Sequence, residues 1–526
     1  MPAETVAPDD RRLPLPLRLA DITALALVVI ALWIALLGGR RYLVFGLVVS
    51  LRSALPFLYG AASILLVRHL LRPRPTALDH LALARHWVHR HPDFAVAGRA
   101  FLATRPTVLI IGFFAVVTFG IDAHPGFAPS KDPLANLPAR FDAGWYGDVA
   151  LDGYNWDHSF QRQRNIAFFP ALPLMMRPVA AVFGLHDRMP THDEQMVRAL
   201  WAGVLISLAA FLWALYYFVR LGRDLVGAEA AENAALLLAA YPFALFFSAA
   251  YTESVFLLAA LGAFYHFRRG EWRAAGAWGL LLGLTRPNGC FASVPLAILG
   301  AQQLWQGARG GKSAEGARGA GDDMSASGAK GAKGAEGAKS ATATQGARSA
   351  ADGIFVGVDR NAIAIRLLVA AMPGIGMLLF TIYLHSLTGV WFAWARSHEA
   401  WGRTYHGLAP FATAWGWVRD EPLVEVIANV PFNTLNTIAV LFGLALTYPV
   451  FRRLGASWGV FVLLNLVPPL FAGGVLSMGR LTSTLFPLFL ALATIIPRRA
   501  APAWSAAFGV AQGLCAALFF TWRELF

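Results

Sequence analysis

IAFFPALPLMMRPVAAVF, residues 166–183, is the stretch on which the architecture turns. Its eighteen residues are apolar enough to be read as a membrane span. If they crossed, every later loop would change sides and the arginine clusters that follow would fall outside. Pro170, Pro173 and Pro178 argue against a regular span, because each removes a backbone donor and interrupts a helix. The run is therefore expected to lie as an interfacial or re-entrant helix at the outer surface.

Working outward, similar apolar runs recur along most of the 526 residues. The chain is 57% hydrophobic and 14% charged, with mean hydropathy +0.53. Soluble domains carry about 25% charged residues. Thirteen candidate spans are expected, at 22–38, 43–67, 107–121, 197–219, 233–248, 253–267, 274–285, 289–305, 363–386, 424–449, 455–474, 482–497 and 503–521. The fold class is thus all-α, a polytopic transmembrane helical bundle whose large outer first loop contains short amphipathic helices. The first run is followed by Gly38-Gly39-Arg40-Arg41 and reads as an anchor, not a cleaved signal. Cys290 and Cys515 give neither metal spacing nor a disulfide framework.

Charge tests the topology. With the N-terminus inside, segment 68–106 is also inside and carries seven Arg against two Asp. Segment 122–165 is outside and carries six Asp against four Lys and Arg. By parity Arg220 and Arg223, Arg268, Arg269 and Arg273, Arg452-Arg453 and Arg498-Arg499 all fall inside. The net charge of +13 is explained this way, and nucleic acid is not an expected partner. Five segments follow: 1–121 with the tail and three spans, 122–196 as an outer loop, 197–305 as a core, 306–360 as a low-complexity insertion, and 361–526 as the C-terminal helices. Residues 306–353 are Gly/Ala/Ser/Lys-rich and are expected to be a disordered cytoplasmic spacer.

The same parity gathers five polar motifs on the outer side: FDAGWYGD at 141–148, AYTES at 250–254, TRPNG at 285–289, ARSHEAWGRTYHG at 395–407 and SMGR at 477–480. Ionisable groups near membrane depth are costly and usually functional. Asp142, flanked by Phe141 and Trp145, is a candidate general base; a plain ion pair with Arg140 or Arg164 is the alternative. Asp148 and Asp152 share a helix face if helical, either around a positive group or as two solvated carboxylates. Glu253 opens an apolar helix and either binds a ligand or caps after Thr252. Arg286 and Arg480 lie in short outer turns. Guanidinium grips phosphate with two parallel bonds, although ion pairs with Glu253 or Glu399 would also account for them. Asn288 completes the TRPNG turn. His398, Glu399, Trp401 and Arg403 form a further polar cluster that either helps bind the acceptor, with His398 as its binding residue, or is simply a wet loop. Acids interleaved with Trp145, Tyr146, Tyr154 and Trp156 suit a pocket that bonds to and stacks on a sugar. No dedicated metal site and no cofactor are expected.

RFDAGWYGDVALDGY, NIAFFPALPLMMR, the run from Tyr241 to Gly289 and SMGRLTSTLFPLFLALA together resemble the PIG-V-like mannosyltransferases. Two positions depart from that pattern: Phe141 stands where Trp is expected, and QRQRN precedes AFFP without an acid. The resemblance implies a membrane glycosyltransferase of GT-C type, a polyprenyl-phosphate mannose donor, and a catalytic acid in the first large outer loop, here Asp142. It also implies transfer to a hydroxyl with inversion. The partners would be the lipid-linked donor, an acceptor glycolipid or glycan, and membrane lipids. Ala/Gly/Arg-rich usage points to a bacterial cell membrane rather than the endoplasmic reticulum. Two competing readings are another GT-C enzyme, with a different lipid-linked sugar or a protein acceptor, and a lipid or sugar flippase. The flippase reading predicts internal repeats and polar residues deep in several spans; no repeat is visible.

Overall fold

The computed structural model describes residues 15–37, 40–44, 47–51, 53–71, 88, 90–122, 126–183, 190–307, 360–405, 407–523 and 525. Most of the expected spacer at 306–353 lies outside them.

The chain is built from helices. Near the N-terminus α1 (Leu15–Leu37) leads into an antiparallel hairpin, β1 (Arg40–Val44) with β2 (Leu47–Leu51), and then α2 (Leu55–Leu71). The expected single span at 43–67 is therefore corrected: its first third is strand. Val44, Val48 and Val49 are β-branched and favour that conformation. Next come α3 (Pro92–Phe119), α4 (Ala143–Leu151), α5 (Ala171–Phe183), α6 (His192–Val226), α7 (Ala228–Ala240), α8 (Glu253–Arg268) and α9 (Trp272–Thr285). Helix α10 covers residues 293–307. The C-terminal part holds α11 (Arg360–Thr388), α12 (Ala393–Ser397), α13 (Ala409–Asp420), α14 (Leu423–Asn429), α15 (Pro431–Arg453), α16 (Ala456–Gly473), α17 (Met478–Ser483), α18 (Phe486–Ile495) and α19 (Ala501–Phe520).

Among the described residues seven helices are long and apolar enough to cross a membrane, or eight if α7 and the 3-10 turn Pro242–Ser248, bent by 78°, form one broken span. The count of thirteen is not reproduced. Several expected spans are helices of sub-membrane length: α8 has 16 residues, α9 has 14 and α18 has 10. At 1.5 Å per residue, these reach about 15–24 Å against a hydrocarbon core of about 30 Å. Helix α5, from the stretch that opened the reading, has 13 residues, or about 20 Å. It buries Leu172, Pro173 and Met176 and exposes Leu174 and Val182, the amphipathic form expected of it.

Helices α9 and α11 approach until side chains at the contact must be absent. A Cβ on Gly283 would overlap the carbonyl of Pro373, and one on Gly376 the carbonyl of Leu280. This contact fixes the end of α9, which carries Arg286. Arg105, inside α3, is fully buried and spans the break after α7. It donates to the Ala239 carbonyl at 2.6 Å, the Ala244 carbonyl at 2.5 Å and Ser248 Oγ at 3.2 Å. Gln512 of α19 donates to the Ala239 and Tyr241 carbonyls at 2.9 and 2.8 Å. The carbonyls freed by the bend are thereby satisfied.

The basic clusters meet at one end of the bundle. Arg223 pairs with Asp93 at 2.9 Å and Glu232 at 3.7 Å, and Arg498 with Glu229 at 2.6 Å. Arg453 donates to the Thr494 carbonyl at 2.9 Å. The polar motifs lie toward the other end: on α6, Ser207 donates to the Tyr251 carbonyl and Arg223 pairs with Asp93, 16 residues or about 24 Å apart along the helix.

Candidate active site

Asp142 stands at the N-terminus of α4, directly after Phe141, whose φ of 46° is left-handed. That conformation is uncommon for a bulky residue and is held from outside. The Phe141 ring packs against Trp522 at 4.6 Å and Phe519 at 5.7 Å. Buried Arg140 donates to the carbonyls of Phe520 at 2.6 Å, Asn136 at 2.7 Å and Ala139 at 2.6 Å. Tyr251 completes the clamp: its hydroxyl donates to the Arg140 carbonyl at 3.2 Å and accepts the Asp142 N–H at 3.1 Å. Burial, with Asp142 and Glu253 nearby, pushes the Tyr251 phenol well above its ordinary range, so it stays protonated.

From there a chain of charges crosses the site. Arg480 Nη1 donates to Asp142 Oδ2 at 2.6 Å, and its Nε lies 3.1 Å from Glu253 Oε1. Arg286 Nη1 donates to the same Glu253 oxygen at 2.9 Å. Glu253 is 1% exposed and Arg286 9%. Burial acts to lower the Arg480 pKa, but Glu253 and Asp142 more than offset it and the guanidinium is held charged more firmly than usual. Thr252 makes no side-chain cap; its hydroxyl lies 3.4 Å from the Tyr146 hydroxyl. The capping alternative for Glu253 thus gives way to an arginine-anchoring carboxylate.

These groups border a cavity of about 660 Å³. Asp142, Tyr146, Arg286, Asn288, His398, Trp401, Arg403, Ser477 and Arg480 supply its polar and aromatic lining. Phe291, Met377, Pro468, Pro469, Ala472 and Leu476 supply an apolar wall. Tyr146 packs edge-on to Phe168 at 5.1 Å; Trp145 stacks on Phe168 at 5.9 Å and meets Trp401 at the same distance. Burial and the Glu253 charge raise the Tyr146 phenol to about 12. His398 binds the Trp394 carbonyl through Nδ1 at 2.7 Å, and desolvation lowers its pKa to about 4, so its ring is neutral at physiological pH.

The five motifs therefore converge as expected. Asp142, Tyr146, Arg286, Asn288, His398 and Arg480 line the cavity, Glu253 lies beneath two of the arginines, and Trp145 backs the aromatic wall. The pairing of Asp142 is with Arg480, not with Arg140 or Arg164; Arg164 bonds to Asp157. Asn288 donates to Asn465 of α16 at 2.8 Å. Asp148 does not line the cavity. Burial, then the neighbouring Asp152, raise its carboxyl pKa, while Asp152 itself pairs with His192 at 3.1 Å. Among the described residues no three His, Cys, Asp or Glu side chains are grouped to hold a metal ion.

Three contributors had not been singled out from the sequence as site residues, Tyr251, Phe168 and Asn465, while Arg403 and Trp401 had been read only as members of the His398 cluster. Asn465 had a readable signal, a lone amide inside the apolar run VFVLLNLVPP. The clamp role of Tyr251 depends on a contact across 109 residues, which spacing does not reveal.

Comparison with known proteins adds the following. Residues 128–306 match the family model described as mannosyltransferase (PIG-V). No curated protein matches the chain. Among solved structures, the archaeal oligosaccharyltransferase AglB from Archaeoglobus fulgidus, in complex with an inhibitory peptide and a dolichol-phosphate, is similar at TM-score 0.37 and 10% identity. That similarity covers 83% of this chain and 56% of the other, so this chain spans little more than half of that protein's length. The segment similar to the PIG-V mannosyltransferase model holds Asp142, Tyr146, Phe168, Glu253 and Arg286 around one cavity, in a chain whose apolar helices are long enough to cross a membrane.

Proposed function

We propose that the cavity transfers mannose from a polyprenyl-phosphate mannose to an acceptor hydroxyl of a glycolipid or glycan, with inversion at the anomeric carbon. The observation that carries this reading is the charge inventory of the cavity. Two carboxylates, Asp142 and Glu253, meet three guanidiniums, Arg286, Arg403 and Arg480, leaving one net positive charge. A phosphodiester-linked sugar carries one negative charge and cancels it. A nucleotide diphosphate sugar would bring two.

The balance persists through the reaction. Asp142 Oδ2 is held by Arg480, and Oδ1 has no hydrogen-bond partner among the described residues, so Oδ1 is placed to take the acceptor hydroxyl proton. As that oxygen bonds to the anomeric carbon, the bond from this carbon to the phosphate oxygen breaks and the phosphate leaves with the electron pair. Asp142 is then neutral and the phosphate carries one more negative charge, so the total is unchanged. Preorganised arginines stabilise the growing charge without reorganising. The aromatic wall of Tyr146, Phe168 and Trp401 suits the apolar face of a sugar ring.

The site is read as facing away from the cytoplasm, in a bacterial cell membrane. The basic clusters at the opposite end of the bundle support that orientation. A cysteine placed beside Asp142 and modified only from the cytoplasmic side would reject it. The chemical test compares wild type with Asp142→Asn in mannose transfer from polyprenyl-phosphate mannose to a lipid extract. Loss of about 10²–10⁴-fold in a folded variant is expected of a lost general base. Equal rates would remove Asp142 from that role.

A further inference from the structure

Three guanidiniums line the cavity, and two are already committed. Arg286 is bonded to Glu253, and Arg480 to both Glu253 and Asp142. Arg403 differs. Its Nη2 donates to the neutral Ser477 Oγ at 2.9 Å, and no carboxylate lies within ion-pair distance among the described residues. A cation withdrawn from water without a counter-charge is expensive. Its retention in a cavity wall points to an anion that arrives with a ligand.

The position is built, not incidental. Gly402 turns the chain at a φ of 68°, and the Arg403 N–H donates to the His398 carbonyl at 3.2 Å. Ser477 is itself left-handed, with a φ of 60°. The stem of Arg403 passes Gly473 at the end of α16, beside the apolar wall of Pro469, Ala472 and Leu476. Toward the interior it feels the charges of Arg480, Asp142 and Arg286. Burial, then Arg480, lowers its pKa to about 10, which leaves it charged at neutral pH. Arg403 thus stands between an apolar surface and the reacting carboxylate.

We propose that Arg403 is the residue that receives the phosphate of the lipid-linked donor, with the prenyl chain on the Pro469–Leu476 wall and the sugar toward Asp142. This rests on the donor class proposed above. In this arrangement Arg286 and Arg480 organise the acids, and Arg403 supplies the unspent charge.

The test uses the full-length protein in detergent with farnesyl phosphate as probe and farnesol as its uncharged control. Arg403→Gln is expected to weaken farnesyl phosphate binding by about tenfold to a hundredfold, the worth of a charge-assisted hydrogen bond. Farnesol binding is expected to be unchanged. Arg403→Lys keeps the charge without the fork and is expected to fall between. In transfer assays the change should appear in KM for the donor more than in kcat. Wild-type affinity in Arg403→Gln, with wild type still transferring from polyprenyl-phosphate mannose, overturns the Arg403 assignment alone. Wild type that neither binds farnesyl phosphate nor transfers mannose overturns the donor class and the assignment with it. Equal loss for farnesyl phosphate and farnesol would mean that Arg403 only shapes the wall, and would also overturn it.

Discussion

Replacing Glu253 by Gln removes one negative charge from the floor of the site and little else in shape. Glu253 Oε1 accepts from Arg286 at 2.9 Å and lies 3.1 Å from Arg480 Nε, with side-chain exposures of 1%, 9% and 12%. Hydrogen bonds to charged groups contribute about 1.5–3 kcal/mol each. Breaking a buried pair from one side costs about 3–5 kcal/mol. The amide oxygen of Gln can still accept from one arginine, which returns part of the loss. Its amide nitrogen would occupy the place of Oε2, which has no hydrogen-bond partner among the described residues, and would add an unsatisfied donor. The two corrections oppose each other, so the expected destabilisation is about 3–5 kcal/mol. Unfolding of the detergent-purified protein, followed by tryptophan fluorescence against added SDS, measures it. Glu253→Gln within about 0.5 kcal/mol of wild type, the size of an ordinary surface substitution, would refute the reasoning. Transfer activity should fall as well, because Arg480 then has Asp142 as its remaining charged anchor.

Two further outcomes are expected. The His398 ring titrates near 4 in the folded protein against 6.5 when unfolded, so between these values the unfolded chain binds the extra proton and stability drains away as pH falls. The gap in melting temperature between wild type and His398→Gln should therefore shift against wild type from pH 6.5 down toward 4, whereas parallel curves would show that the ring is not desolvated. A Cβ on Gly479 would overlap the ring of Phe243, immediately before Arg480. Gly479→Ala should cost about 1–3 kcal/mol through overpacking. It should also lower kcat by about tenfold to a hundredfold through displacement of the guanidinium; unchanged kcat would show that the turn absorbs the methyl group.

Much of this site could be read before any coordinates, because membrane insertion makes polar residues conspicuous. Parity and charge sorted the five motifs to one side, and the structure brings them around one cavity. The partners within the site were not legible. Asp142 and Arg480 lie 338 residues apart, and nothing in either motif names the other. Asp148 followed the same acidic pattern as Asp142 but sits six residues, about 1.7 helical turns, further along α4, on a different face. The expected thirteen spans exceed the seven or eight long apolar helices among the described residues for a physical reason. In a bundle this deeply packed, α8 and α9 are apolar because protein surrounds them, so hydropathy does not separate a buried helix from one facing lipid. The hairpin at 40–51 lost to the same ambiguity, since a short β-branched apolar run suits a strand as well as a span.

The clamp on Asp142 has a bearing on biogenesis. Arg140 is bonded to the Phe520 carbonyl 380 residues later, and Phe141 packs on Phe519 and Trp522. A chain emerging from the ribosome carries the acid long before the helix that seats it. Segments that fold as they are made cannot close this contact, and its loop-closure entropy falls due only after α19 has been made. The seating of Asp142 is therefore acquired in one late step, when α19 enters the bundle, and a nascent chain halted earlier would hold the other walls of the cavity with this carboxylate still unclamped.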